Sequence, residues 1–249
     1  MEGVHASSNL HHELGPGLAI GPRHSVRLIE YPRTIALRRP PVLLRGSPLV
    51  PDQFKTQIDE AESRWDVLRA KRPEYFDGGL LAVGGVTRNG HGGVTLTVSP
   101  CPYRWYAVQG DDLDLGIRPL GVKALVRNRA GAFLCGLRTS QVHSYPNRWE
   151  FLPGGSVEPE EEPLQTVIRE LDEEAGFQPQ FPPVAKALFF DPCSRTWEIV
   201  YELDVSANHG EATQPGEHLN SGWFPQEQLP YPMTPIAERM VDVLLNVSS

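Results

Sequence analysis

The stretch GSVEPEEEPLQTVIRELDEEAGF, residues 155–177, decides how the rest of this chain is interpreted. Pro163 suits the first position of a helix, and Gly176 suits the position just past its end. Between them the apolar residues recur at helical spacing; they are Leu164, Val167, Ile168, Leu171 and Ala175. The stretch therefore predicts a helix with one face packed into a core.

The polar side of this helix carries a cluster of carboxylates. Glu170 and Glu174 are one turn apart, and the helical period places Glu173 beside them, opposite the apolar stripe. Like charges at this spacing destabilise a helix by about 0.2–0.5 kcal/mol per pair, so the cluster needs either a cation or solvent. Mg²⁺ prefers oxygen ligands and is usually held by one or two carboxylates together with substrate phosphates. The pattern predicts a site for a metal ion and a diphosphate; a solvated acidic face is the alternative.

The same stretch has the spacing of a known motif. Gly155 is followed after five residues by Glu161, after seven more by Arg169-Glu170-Leu171, and then by Glu173, Glu174, Gly176 and Phe177. These residues match every fixed position of the Nudix box, and over about residues 116–249 the chain resembles the Nudix hydrolases. The resemblance implies the fold class α/β (α+β), with a mixed β-sheet sandwiched between helices. It also implies cleavage of a nucleoside diphosphate linked to another moiety, with Mg²⁺ or Mn²⁺ and release of a nucleoside monophosphate.

The resemblance assigns roles to residues of the box. It implies metal coordination by Gly154, through its carbonyl, and by Glu170, Glu173 and Glu174. Glu161 is expected to support the site from just before the helix. Arg169 lies one turn before Glu173, so orientation of that carboxylate is its expected role, with direct phosphate contact as the alternative.

Residues outside the box are also candidates. Arg138 follows a predicted strand and could bind phosphate oxygens in a bidentate manner. His143 and Tyr145, in the loop 139–148, could contact the base or sugar. Family members often complete the site with a glutamate from a late loop, and ANHGEATQPGEHLNSG, residues 207–222, offers Glu211 and Glu217. Glu217 is the expected further metal ligand or general base.

The substrate class has a less specific signal. The segment RTSQVHSYPNRWEFLPGGSVE, residues 138–158, and the upstream DGGLLAV are similar to a Nudix subgroup that hydrolyses UDP-sugars such as UDP-glucose. ADP-ribose or an oxidised nucleotide is an alternative substrate. A Nudix-fold protein that binds nucleotides without turnover, and a Nudix-fold isomerase that acts on an isoprenoid diphosphate, are the alternative functions.

Composition restricts the partners and the compartment. The net charge of −8 argues against binding to a nucleic-acid backbone. The three cysteines lack the spacing of a zinc site or a disulfide framework. We find no pattern typical of a signal peptide or a membrane span, so we expect a cytoplasmic protein with a small-molecule substrate and no membrane partner. The oligomeric state stays open, with a homodimer among the alternatives.

The chain of 249 residues is long enough for one ordinary domain and an extension. We expect a flexible tail over residues 1–24, an α/β extension over 25–115 and the Nudix domain over 116–249. In the extension, a helix is predicted from Pro51 to Lys71, strands at 79–86 and 93–98, and a further strand at 103–108. In the Nudix domain, strands are predicted at 121–126, 132–137, 149–152, 185–190, 196–205 and 222–224, with a terminal helix at 234–246.

Overall fold

The computed structural model describes residues 33–54, 57–142, 144–206 and 218–247. There are eleven strands in these residues: β1 (Arg33–Ala36), β2 (Val42–Arg45), β3 (Gly79–Arg88), β4 (Val94–Pro102), β5 (Leu120–Arg127), β6 (Phe133–Arg138), β7 (Trp149–Phe151), β8 (Gly154–Ser156), β9 (Val184–Asp191), β10 (Thr196–Asp204) and β11 (His218–Phe224). The helices are α1 (Gln57–Lys71), α2 (Tyr103–Ala107), α3 (Pro163–Ala175) and α4 (Pro235–Val247).

Most strands belong to one large mixed sheet. Its order is β1-β9-β10-β5-β6-β11, with β8 paired to β5 and β7 paired to β6. Only the pair of β10 and β5 is parallel among the pairings described in this sheet. Strands β5 and β6 pair at Arg127 and Phe133 and then separate, so that β8 lines one side of the gap and β7 the other. This gap is where the candidate site lies.

Alternation along the strands gives the large sheet a core on each face. On one side Leu120, Val122, Ala124 and Val126 pack with Val167 and Leu171 of α3. On the other side Leu125, Phe151, Phe189 and Val200 pack with Ile236 and Met240 of α4. Successive side chains of a strand point to opposite faces, so a single strand such as β5 contributes to both cores. The predicted fold class, a mixed sheet between helices, is confirmed.

Helix α3 has the ends that its sequence predicts. Pro163 is its first residue, the Gln165 side chain accepts from the Glu162 amide at 3.0 Å, and Gly176 follows with φ of 68°. This left-handed conformation favours glycine because it has no Cβ. Leu164 is a correction to the predicted core: it is 40% exposed, whereas Val167, Leu171 and Ala175 are buried.

A second, three-stranded sheet has the order β2-β4-β3 and packs with α1 and α2. It joins the large sheet through an isolated bridge between Ala82 and Pro119 and a hydrogen bond from the Val83 amide to the Arg118 carbonyl, 2.8 Å. Strand β1 pairs with β9 and is part of the large sheet, although residues 25–115 were expected to form a separate extension. The boundary at residue 115 remains a prediction.

Two predicted elements of the extension differ from the structure. Residues 103–107 form helix α2 and not a strand. Aromatic residues favour strands, but here the Tyr103 amide bonds to the Gly78 carbonyl and buried Trp105 packs into the small core, so tertiary contacts override the propensity. The helix expected from Pro51 begins at Gln57, after a 3₁₀ turn over Pro51–Gln53. The predicted hairpin around Asn89-Gly90 is present as β3 and β4.

Across the residues that the structure describes, no helix combines the length and the apolar character needed to cross a membrane.

Candidate active site

Helix α3 places its glutamates against the glycine turn of β8. A Cβ atom at Gly155 would overlap the carboxylate of Glu170, and one at Gly154 would overlap the ammonium end of Lys123. Larger residues would therefore displace both side chains. The paired glycines allow a carboxylate and an ammonium group to approach the same short segment of backbone.

Glu174 has the most unusual environment of the box residues. Its Oε1 atom lies 3.4 Å from the Gly154 amide, and its buried Oε2 atom has no hydrogen-bond partner among the described residues. Burial raises the pKa of Glu174 to about 8; the nearby carboxylates Glu150 and Glu170 add to this rise, and Lys123 opposes it. A buried, unpaired carboxylate is costly unless a cation compensates it. Glu174 therefore fits a position that faces a bound metal ion.

Glu170 shares this environment, whereas Glu173 does not. Burial raises the pKa of Glu170, and the charge of Glu173 adds to the rise while Arg169 opposes it. The side chain of Glu170 is 14% exposed and that of Glu173 is 58% exposed. Within the described part of the chain, no three His, Cys, Asp or Glu side chains form a ready metal cage. Two carboxylates and the Gly154 turn still fit Mg²⁺, which commonly takes one or two carboxylates and completes its shell with phosphate and water oxygens.

The Glu161 side chain is held by the helix that it precedes. Arg169 donates to both of its carboxylate oxygens, at 2.8 and 3.0 Å, and Thr166 donates at 2.8 Å. These bonds, with that of Arg169 first, lower the pKa of Glu161. Another nitrogen of Arg169, Nη1, lies 3.0 Å from both Glu170 and Glu173. Arg169 therefore links three carboxylates of the box, more than the single contact with Glu173 that the spacing predicts.

A buried charge network lies across the gap from α3. Its hub is Glu150 of β7, which is 5% exposed and bonds to Lys123 at 2.8 Å, to His218 at 2.9 Å and to Arg138. Burial alone would raise the pKa of Glu150, but Lys123, His218 and Arg138 together hold that pKa well below its ordinary value. We call these four residues the Glu150 network. It fixes positive charge beside the box carboxylates.

Glu198 is a second buried carboxylate near this network. It lies on β10 opposite Gly121 of β5, and a Cβ at Gly121 would collide with it. Burial raises the pKa of Glu198 to about 7, Asp191 and Glu150 add to the rise, and Lys123 and Thr196 oppose it. The charge of Lys123 thus acts on three carboxylates, those of Glu150, Glu174 and Glu198.

Two predicted substrate residues are described, and both are engaged with the protein. Arg138 donates to Glu150 and, at 3.0 Å, to the Ser144 carbonyl, so its guanidinium is oriented within the gap. The Tyr145 hydroxyl bonds to both oxygens of Asp191 at 2.8 Å and so attaches the loop to β9; its contact with the base or sugar stays a prediction. His143, Glu211 and Glu217 lie outside the described residues.

Sequence reasoning missed Lys123, Glu150 and Glu198. Each is a charged residue whose immediate neighbours in its strand are mostly apolar, as in LGVKALVR and WEF. A charged residue that interrupts such a strand is a usable signal, because a buried charge requires a partner nearby. Which partner it finds depends on the pairing of strands, which the sequence does not give.

The family comparison agrees with this geometry. The NUDIX domain model matches residues 117–244, more than half of the chain. The chain therefore belongs to the Nudix family, and the resemblance to the Nudix hydrolases is confirmed.

Individual relatives show the extent of the similarity. The 8-oxo-dGTP diphosphatase of Escherichia coli (strain K12) is 32% identical over 114 residues, which cover 43% of this chain and 87% of that protein. An m7GpppN-mRNA hydrolase of Bos taurus is 44% identical over 59 residues, 24% of this chain and 19% of that protein. Among solved structures, the MutT protein from Methanosarcina mazei Go1 is 24% identical and has a TM-score of 0.42, covering 52% of this chain and 93% of that chain.

Proposed function

We propose that this protein hydrolyses the diphosphate bond of a nucleoside diphosphate linked to another moiety, with Mg²⁺ or Mn²⁺, and releases a nucleoside monophosphate. The observation that carries the proposal is the buried Glu174 carboxylate, whose Oε2 atom has no partner among the described residues, beside Glu170 and the glycine turn. A carboxylate left in this state is compensated by a cation that arrives with the substrate.

In this proposal the box residues bind the metal ion, and the Glu150 network provides positive charge for the phosphates. Glu170, Glu174 and the Gly154 carbonyl hold the metal ion, with Glu173 at the exposed side of the site. The bound ion would neutralise charge on the diphosphate oxygens and lower the pKa of the attacking water. Arg169 and Glu161 orient the carboxylates, and Arg138, held by Glu150, supplies positive charge for the phosphates.

The proton acceptor is proposed to be Glu217, since the carboxylates of the box are engaged by the metal ion. A general base should have a pKa near the operating pH, whereas coordination lowers the pKa of a metal ligand, so a pH–rate profile separates these roles. Glu217→Gln should slow turnover strongly and leave substrate affinity within a few-fold. If Glu211→Gln has that effect and Glu217→Gln does not, Glu211 is the residue.

For the substrate, we propose a UDP-sugar such as UDP-glucose, on the similarity of residues 138–158 and the upstream DGGLLAV to that subgroup. The relative in Escherichia coli favours a second candidate, an oxidised nucleoside triphosphate such as 8-oxo-dGTP, because the match covers 87% of that protein. Both substrates place a phosphoric anhydride at the same carboxylates, so the site chemistry alone does not separate them.

A hydrolysis panel tests the function and the substrate together. It contains UDP-glucose, ADP-ribose, NADH, diadenosine polyphosphates, CoA and 8-oxo-dGTP, each with Mg²⁺ and with Mg²⁺ plus excess chelator. We expect turnover that chelation abolishes, with UDP-glucose as the best substrate. Preference for another member would reject the UDP-sugar assignment alone. Nucleotide binding without turnover of any member would favour the non-catalytic alternative, because in that case the intact carboxylates do not support hydrolysis.

A further inference from the structure

One arginine of the small sheet contacts the segment that leads into α3. The guanidinium of Arg45, at the end of β2, donates to the Pro159 carbonyl, to the Glu161 carbonyl at 2.5 Å and to the Glu162 carboxylate at 2.9 Å. These acceptors lie 114–117 positions later in the sequence. The contact therefore ties the extension to the box through one side chain.

The backbone of the same segment also rests on the small sheet. The Leu81 amide donates to the Val157 carbonyl at 3.3 Å. Gly79 approaches Pro159 so closely that a Cβ at Gly79 would lie 2.7 Å from a ring carbon of Pro159. The path of residues 157–162 is thus set from the extension by β2 and β3, in addition to its attachment to the large sheet.

From this segment a continuous set of contacts leads to the metal-facing carboxylates. Arg45 fixes the backbone of Glu161, and the Glu161 side chain holds Arg169 through two bonds of 2.8 and 3.0 Å. Arg169 in turn contacts Glu170 at 3.0 Å. A shift of the Glu161 backbone would move the carboxylate on which the orientation of Arg169 depends.

We propose that Arg45 is a positioning residue for the metal site and that the extension thereby takes part in catalysis. The inference rests on the proposed metal-dependent function. The positioning role requires a planar group with several hydrogen-bond donors, because two carbonyls and a carboxylate must be contacted at once. Lysine at this position would keep the charge but would offer one nitrogen in place of the two guanidinium nitrogens that contact these acceptors.

A purely structural role for Arg45 makes a different prediction. The side chain is 32% exposed, and exposed arginine contacts commonly add little to stability. If Arg45 only attached the extension, its loss would change at most the unfolding temperature and would leave the metal affinity of the folded protein unchanged. If Arg45 positions Glu161, the metal affinity falls while the fold persists.

The test uses the full chain and Mn²⁺ as the probe. Mn²⁺ affinity is measured by electron paramagnetic resonance for the wild type, Arg45→Gln, Arg45→Lys and the control Arg88→Gln. Arg88 is an exposed arginine at the end of β3, in the same sheet, with no side-chain hydrogen bond or ion pair to other described residues. Thermal unfolding is recorded for each variant, and kcat and KM are measured as Mg²⁺ is varied.

We expect Arg45→Gln to lose about tenfold in Mn²⁺ affinity, near the lower end of what loss of an outer partner of a metal site usually costs. Arg45→Lys should lose less, and Arg88→Gln should match the wild type. The Mg²⁺ concentration for half-maximal rate should rise for Arg45→Gln, with kcat recovering at saturating Mg²⁺ and KM for the nucleotide unchanged.

Wild-type Mn²⁺ affinity in folded Arg45→Gln and Arg45→Lys would overturn the inference. If Arg45→Gln does not fold, Arg45→Lys alone decides the question by the same measurement. A wild-type protein that neither binds Mn²⁺ nor hydrolyses any panel member would reject the proposed function itself. A wild type that does both, with variants that match it, would reject only the role of Arg45.

Discussion

Two helices of this molecule, α1 and α3, are both rich in acidic residues but place them in different environments. In α1, Glu60 bonds to Arg64, and Glu62 accepts from Arg104 and from the Trp105 indole nitrogen, each at 2.9 Å. In α3, the Glu174 carboxylate is buried and one of its oxygens has no partner in the described structure. Glu60 and Glu62 of α1 are thus paired within the protein, whereas Glu174 of α3 has a buried oxygen that no described residue contacts.

The difference shows what makes a carboxylate cluster a candidate site. Both helices are acidic, and in both the acidic residues recur three or four positions apart. Neither property therefore distinguishes the helix of the candidate site from the other helix. Burial of a carboxylate without a partner does distinguish them, because the protein alone does not stabilise a negative charge at such a position. Three substitutions test this comparison, and they are ordered here by the size of the expected effect.

Glu174→Gln should have the largest effect. It keeps the volume of the side chain and removes the charge that we propose faces the metal ion, so we expect kcat to fall by about 100- to 1,000-fold, which corresponds to a few kcal/mol of transition-state stabilisation. The unfolding temperature at pH 8.5 should stay the same or rise, because an unpaired buried charge is removed. Activity and thermal unfolding are measured on the same preparation. Near-normal turnover would show that Glu174 does not hold the metal.

Glu198→Gln tests how the burial of a carboxylate affects the stability of the protein. The pKa of Glu198 is raised to about 7, so between about pH 4.5 and 7 the folded state retains a proton that the unfolded state releases. Protein stability is therefore reduced as pH rises through this interval, and by linkage the loss above pH 7 is at most about 3–4 kcal/mol.

The variant, neutral at every pH, should be more stable than the wild type at pH 8 and close to it at pH 4.5. Denaturant unfolding at the two pH values measures this, and the difference between the proteins cancels the contribution of other groups. Equal stability differences at both pH values would mean that the pKa of Glu198 is the same in the folded and the unfolded protein, so that burial does not raise it.

Glu62→Ala on α1 should show the smallest effect, and on stability alone. It removes the acceptor of the indole nitrogen of Trp105, a residue that is 2% exposed, so we expect a loss of about 1–2 kcal/mol in the free energy of unfolding. The expected loss of stability is in the lower part of the usual range, because the Glu62 side chain is 43% exposed and water can take its place as the hydrogen-bond acceptor. Turnover per folded molecule should not change. A large fall in kcat would mean that α1 is coupled to the site.

The elements with strong local signals could be predicted from the sequence. Helix α3 was predictable because Pro163 and Gly176 mark its ends, and the hairpin of β3 and β4 because Asn89-Gly90 favours the turn. Helix α2 was not, since its aromatic residues favour a strand locally and only the contacts of Tyr103 and Trp105 with the extension make it helical.

For the candidate site, the sequence by itself determined which residues form the carboxylate cluster of the box, because their spacing along one helix is a local property. The tertiary structure alone decided that Glu174 is buried without a partner, that Glu173 faces solvent, and that Glu150 gathers Lys123, Arg138 and His218. The physical reason is that burial and charge pairing depend on strands brought together from distant parts of the chain. Charges interact through space, and their order in the sequence does not give their distances.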